Sequence, residues 1–225
     1  MTAMQSAQPA TRDKVFGPPI FVLGGMQLLV VLDGTVAALA LPRIQDALSM
    51  SESTSKWVIT AYVLAFGGLM LLGGRLGDTF GRKRMFVVGV TAFTLTSLLC
   101  GSAWDQYTLI VGRGLQGASA AIAAPTAMAL LATTYTPGKA RNQAFAVYAA
   151  MTGVGSVAGL IAGGVLTEIT WRLVFWINVP IGVLVAVGAV MFLRESQGER
   201  LALDVKGAIL ATVGCTLLVL AVSEG

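Results

Sequence analysis

The chain has 225 residues, of which 56% are hydrophobic and only 12% charged, whereas a soluble domain carries roughly 25% charged residues. That balance excludes a soluble globular domain and describes an integral membrane protein. Short basic loops account for the formal charge of +4, which therefore needs no nucleic-acid partner, and the complete absence of histidine excludes histidine proton relays and histidine-ligated metals.

Residues 1–17 are polar at first and read as a disordered cytoplasmic N-terminus, with Arg12 and Lys14 just before the first apolar run. Residues 21–41 form that run. Ala38-Leu39-Ala40 mimics a signal-peptidase site, but the run exceeds the roughly 7–15 apolar residues of a signal peptide and is interrupted by Asp33, so it reads as a span. Residues 42–56 read as a short outer loop in which Ser53 or Ser55 caps the next helix. Spans are expected over residues 57–77, 85–103, 107–133, 143–167 and 173–193, each near the ~20 residues that cross a hydrocarbon core. A charged loop over residues 194–206 leads into a seventh span starting near Val205. Cys100 and Cys215 lie inside apolar runs and read as buried small side chains.

Cations assign the sides. The segments that face one side of this topology hold Arg12, Lys14, Arg75, Arg82, Lys83, Arg84, Lys139, Arg141, Arg194, Arg200 and Lys206, and the other side holds Arg43, Lys56 and Arg172. Because Lys and Arg resist translocation, the N-terminus is expected in the cytoplasm. The densest group lies in residues 74–84, which read G-R-L-G-D-T-F-G-R-K-R. They predict a tight basic hairpin between the second and third spans, with Gly77 and Gly81 as turn glycines.

Asp33 and Arg113 stand inside spans. Such charges cost at least about 2.5–3.5 kcal/mol at the bilayer centre and mark pathways or partners. Asp33 lies eight residues before the end of its run and Arg113 six residues after the start of the fourth; at ~1.5 Å per residue these are about 12 and 9 Å below the same boundary. Opposite charges at matching depth predict a pair. Asp33 is then the candidate to bind and release a coupling proton, with Arg113 as its modulator; a static salt bridge that locks helix packing is the other reading. Gln116, one turn from Arg113 on the same face, is a candidate to hydrogen-bond substrate or water, or to make a polar helix–helix contact. Gly155, Gly159 and Gly163 recur every four residues and predict a smooth strip where two backbones meet; the neighbouring Gly164 is grouped with them. Pro180 is expected to bend the sixth span, and Asn178 either satisfies the freed backbone or lines a cavity.

The spacing of Gly74, Asp78, Gly81, Arg82 and Arg84 resembles the signature loop between helices 2 and 3 of the major facilitator superfamily, with Thr79 where that family usually has a cation. Leu32-Asp33-Gly34-Thr35-Val36, followed by Ala40-Leu41-Pro42, is similar to the helix 1 motif of its drug:proton antiporter family with fourteen spanning helices. Leu109, Arg113, Gln116 and Gly117 match the helix 4 motif of that family, and the glycines from Gly153 to Gly164 match the helix 5 motif, except that Leu160 stands where Pro is usual. Trp171, Arg172, Phe175, Asn178 and Pro180 resemble the start of its helix 6. The resemblance implies an all-α membrane fold: a six-helix N-terminal bundle over residues 18–194 built as a 3+3 inverted repeat, then a loop and a linker span over residues 195–225. It also implies that Asp78 and the arginines of the loop hold a cytoplasmic gate, that Thr35 lies near the solute path, and that the proton gradient, not a cofactor, supplies energy.

The expected function is proton-coupled efflux of drugs or small amphipathic compounds across the cell membrane. A substrate-binding sensor and a symporter or uniporter of the same fold are the rival readings. No Walker lysine motif, Cys/His cluster or nucleophile elbow points to an enzyme. Alternating access requires a second bundle, so the partners expected are protons, a small-molecule substrate, the lipid bilayer, and either a missing C-terminal half or a second copy.

Overall fold

The computed structural model describes residues 12–196, together with Gly207, Leu210, Val213, Gly214 and Leu217. Seven helices follow in order: α1 Pro18–Ala47, α2 Glu52–Phe80, α3 Arg82–Gly101, α4 Gln106–Thr134, α5 Lys139–Ile169, α6 Leu173–Trp176 and α7 Asn178–Phe192. With α6 and α7 counted as one span broken at Ile177, six helices among the described residues are long and apolar enough to cross a membrane. The seventh span expected from Val205 onward lies, but for those five residues, outside the described residues, as does Cys215.

The packing has an internal exchange symmetry. α2 lies broadly on α4 and α1 on α5, and α4 also lies on α3 while α1 lies on α6 and α7. Exchanging the first three spans with the last three turns each of these pairs into the other, as the expected three-plus-three repeat requires. Two buried apolar clusters fill the bundle at opposite ends, one around Met26, Phe86, Phe93 and Tyr135, the other around Val36, Ile44, Cys100 and Phe175.

Several local expectations change. The helix predicted to stop at Leu41 continues through Pro42 to Ala47, so the loop between the first two spans shrinks to four residues. Ser51, not Ser53 or Ser55, caps α2: its Oγ accepts the Thr54 N–H at 3.1 Å. The hairpin between α2 and α3 is tighter than predicted, because only Gly81 lies outside a helix; its φ of 104° is a conformation that favours glycine. Gly77 is not a turn residue; it is helical and lets α2 lie against Thr126. The break in the sixth span falls at Ile177, just ahead of Pro180, whose missing N–H deprives the Trp176 carbonyl of its usual partner. α5 has no proline and runs unbroken for 31 residues.

Residues 12–17, expected to be disordered, are instead anchored. Arg12 N–H donates to the Thr134 carbonyl at 2.9 Å, Thr136 N–H donates to the Arg12 carbonyl at 3.1 Å, and Val15 is buried. Residues 1–11 lie outside the described residues. These contacts, and those of α3 with Glu195 and Ser196, gather Arg12, the α2–α3 turn, the α4–α5 turn and the end of α7 at one end of the bundle. The cation-rich segments among the described residues therefore share a face.

At the other end, Asp105 caps α4. Its Oδ1 accepts the N–H groups of Thr108 and Tyr107 at 2.9 and 2.7 Å, and Oδ2 accepts the Thr108 hydroxyl at 2.7 Å. Those bonds, led by the Thr108 backbone N–H, hold its carboxyl below the usual value. A depressed carboxylate stabilises the helix end fully above the ordinary carboxylate range and loses that contribution as the pH falls through the lowered value. Carbon NMR titration of the Asp105 carboxyl is expected to give a midpoint below that of a free aspartate. In Thr108→Val, which loses the hydroxyl donor, the midpoint moves back up.

Candidate functional site: a buried carboxylate held by three donors

Asp33 on α1 and Arg113 on α4 meet in the middle of the bundle, with Arg113 Nη1 2.6 Å from Asp33 Oδ2 and both side chains essentially inaccessible to solvent. Burying two charges is tolerable only when their remaining hydrogen-bonding groups are also satisfied. Here most of them are. Gln116 Nε2 donates to Asp33 Oδ1 at 2.8 Å and Asn178 Nδ2 donates to the same oxygen at 2.7 Å. Arg113 Nη1 also donates to Gln116 Oε1 at 2.7 Å, and its Nε donates to the Val58 carbonyl at 2.9 Å. The guanidinium lies 4.3 Å from the ring centre of Tyr62 and 5.7 Å from that of Phe175, so its faces meet π-clouds that attract a cation. Cys100, buried as expected, donates its thiol to Gln116 Oε1 at 3.7 Å.

Ser97 on α3 completes the cluster. Its hydroxyl donates to the Phe175 carbonyl at 2.9 Å and accepts from Gln116 Nε2 at 3.2 Å and from Asn178 Nδ2 at 3.0 Å. The cluster around one carboxylate thus ties together α1, α2, α3, α4 and the sixth span. Two buried polar atoms beside it have no partner, Asn178 Oδ1 and Tyr62 Oη.

α5 approaches Asp33's helix from the other side. Gly155 faces Leu28 and Val31, Gly159 faces Leu32 and Thr35, and Gly163 faces Val36 and Leu39, all on α1. The strip read from the four-residue spacing is therefore the α1–α5 contact. Gly164 does not belong to it: a side chain there would meet nothing within 4 Å, because one residue further along a helix turns about 100° away.

The three residues expected beside a cavity sit at two places. Gln116 and Asn178 are wholly buried in the charge cluster, and Thr35 lies in the glycine seam with its hydroxyl donated to the Val31 carbonyl at 2.8 Å.

The basic loop is held by charges. Arg82 donates to Asp78 Oδ1 through Nη2 at 2.7 Å and Nε at 2.8 Å, one helical turn apart across Gly81. Gly74 is ordinary contact, its Cβ position 3.6 Å from Pro125. Arg84 is exposed, but its N–H donates to Glu195 Oε2 at 3.2 Å while Lys83 N–H donates to Glu195 Oε1 at 2.9 Å. A carboxylate from the end of the sixth span thus caps α3, where free N–H groups and the helix dipole favour an anion. A side chain at Gly81 would run into that carboxylate, 2.9 Å away. Thr79, where the resemblance leads one to expect a cation, has a buried hydroxyl without a partner. Sequence reasoning missed Ser97, Tyr62 and Glu195. The only signal for Ser97 was its place in an apolar run.

Residues 23–222 match the profile of the Major Facilitator Superfamily. The chain is 58% identical over 206 residues to the uncharacterized MFS-type transporter EfpA of Mycobacterium tuberculosis, covering 92% of this chain and 39% of that protein. It is 47% identical over 207 residues to a puromycin resistance protein of Streptomyces alboniger, covering 91% and 41%, and 44% identical over 200 residues to a cephamycin export protein of Amycolatopsis lactamdurans, covering 87% and 41%. It spans about two fifths of the length of these relatives. Among solved structures, the sulfate complex of a peptide transporter POT superposes with a TM-score of 0.72 at 17% identity, over 95% of this chain and 48% of that one, a likeness of fold alone. Six apolar spans among the described residues, in a repeat-built bundle, together with a profile match over most of its length, make this a multi-pass membrane chain that belongs to the Major Facilitator Superfamily.

Proposed function

We propose that the chain forms the N-terminal six-helix bundle of an exporter that moves antibiotic-like small molecules out of the cell in exchange for protons, with Asp33 as the proton-carrying group and Arg113 as its counter-ion. The observation that carries this reading is the wholly buried Asp33–Arg113 pair, 2.6 Å apart, at the junction of five spans. A charge pair there is costly, and ionisable groups inside a membrane domain are by default functional. The names of the relatives, a puromycin resistance protein and a cephamycin export protein, support drug-like substrates.

The remaining roles follow from position. The cation-rich end, with Arg12, the α2–α3 turn and Arg194, is cytoplasmic by the bias of Lys and Arg. Asp78, Arg82 and Glu195 lock that end as a gate. The α1–α5 glycine seam lets α1 shift when Asp33 changes its charge. A second six-helix bundle completes the solute path, and the proton gradient is the only energy source the reading requires.

The test uses the complete polypeptide in inside-out vesicles loaded through an imposed proton gradient, with ethidium and puromycin as probes. Wild type is expected to move at least one probe against its concentration gradient and to stop when an uncoupler collapses the proton gradient. Movement of neither probe, or movement that ignores the uncoupler, overturns the reading.

A further inference from the structure

We infer that Ser97 is a positioning residue that holds the Gln116 and Asn178 carboxamides with their N–H groups on Asp33, and that Asn178 turns over to serve the protonated acid when the proton arrives. The inference rests on reading Asp33 as the proton-carrying group.

A hydroxyl has one proton to give and two lone pairs to accept with. Ser97 gives its proton to the Phe175 carbonyl at 2.9 Å. It can then only accept, and it accepts from Gln116 and Asn178. Those same two N–H₂ groups reach Asp33 Oδ1. If the Asn178 amide were turned over, its oxygen would face two oxygens, Ser97 Oγ at 3.0 Å and Asp33 Oδ1 at 2.7 Å; the network thus fixes which end is which. Gln116 is fixed a second time, because its Oε1 accepts from Arg113. Asn178 is not, and its Oδ1 is left buried and unpartnered. Buried polar groups are otherwise paired, so this amide is held donor-inward against its own interest.

That leaves Asp33 facing donors alone: Arg113, Gln116 and Asn178. The titratable or charged side chains coupled to it among the described residues are Arg113 on α4, Tyr62 on α2 and Cys100 on α3. A proton that adds to a carboxylate oxygen makes an O–H, which needs an acceptor, and Gln116 Oε1 is already taken by Arg113. Asn178 Oδ1 is the unused acceptor of the cluster. Turning the amide brings it to the new O–H, and Ser97 can follow only by swinging its own proton from the Phe175 carbonyl to that Oδ1. Phe175 stands two residues before the break at Ile177, so proton arrival withdraws the Ser97 hydroxyl from a carbonyl where the sixth span is already interrupted.

The experiment takes the complete polypeptide in proteoliposomes, with ethidium as the probe, and the same protein in nanodiscs with ¹⁵N-asparagine. Ser97→Ala is expected to lower kcat about tenfold, the worth of a hydrogen bond next to a charge, with KM within twofold of wild type; Ser97→Thr restores it. The Asn178 side-chain amide resonance is expected to move in Asp33→Asn and in Ser97→Ala, and to return in Ser97→Thr. Should Ser97→Ala fail to fold, Asn178→Ala is expected to show the same kcat loss. An unmoved Asn178 resonance in Ser97→Ala, or a loss of thermal stability with kcat kept, overturns the inference. If Asp33→Asn still exports on the proton gradient, the parent reading falls; if Asp33→Asn is uncoupled while Ser97→Ala exports like wild type, only the present inference falls.

Discussion

Asp33→Asn is expected to abolish gradient-driven export and to destabilise the bundle by about 3–5 kcal/mol, the usual cost of removing one partner from a buried ion pair. The cost arises because Arg113, at 1% exposure, keeps its charge without a counter-ion. The two π-faces of Tyr62 and Phe175 and the Val58 carbonyl remain, but none of them is an anion. Loss of export in this variant alone would not separate a proton carrier from a structural brace, since either would fail. The double variant Asp33→Asn, Arg113→Met separates them. Replacing both members of a buried pair by uncharged groups of similar volume is often neutral or stabilising, so thermal stability is expected to return towards wild type. Export is expected to stay absent, because the carboxylate that carries the proton is gone. Thermal melting in detergent and ethidium efflux from proteoliposomes read the two quantities. A double variant that exports on the proton gradient makes the pair a brace and nothing more.

The sequence exposed this pair because a charge within twenty apolar residues is conspicuous, and matching depths on the first and fourth spans left each charge one plausible partner. Gln116 was legible for a similar reason, one turn from Arg113. Ser97 was not. A serine in a membrane helix usually satisfies itself on its own backbone, as the Ser119 hydroxyl does on the Leu115 carbonyl and Thr94 on Val90; nothing local marks the one that reaches across instead. Glu195 was invisible because its partners, Lys83 and Arg84, are more than a hundred residues away. Thr35 shows what a motif leaves out: the motif position says nothing of the α5 contact, where its Cβ packs into the gap left by Gly159. Periodicity found the Gly155–Gly159–Gly163 strip, yet it was silent on isolated glycines at helix crossings, where the partner backbone and not the spacing decides.

Those crossings yield the second large expectation: Gly117→Val and Gly73→Val each destabilise the bundle by about 1–3 kcal/mol or more, the range for overpacking a filled interior. A Cβ at Gly117 on α4 would collide with the carbonyl and Cα of Tyr62 on α2, and one at Gly73 on α2 would collide with the carbonyl of Ala121 on α4. Both obstacles are backbone, which cannot swing aside as a side-chain tip can. The only relief is to part α2 from α4, the broadest contact in the bundle. Parting them at Gly117 also draws Tyr62 off the Arg113 guanidinium and stretches the bond from Arg113 to the Val58 carbonyl, so export is expected to fall together with stability. Small residues at such crossings are what allow membrane helices to pack where lipid competes equally for apolar side chains. Gly153→Val and Gly164→Val supply the controls, because a side chain at either meets nothing within 4 Å; both are expected to melt with the wild type. Gly159→Val should fall between, since the obstacle there is the Thr35 side chain together with the Leu32 carbonyl at 3.4 Å. If Gly117→Val melts with the controls, the close α2–α4 crossing, and with it the seat of Arg113 on Tyr62, is wrong.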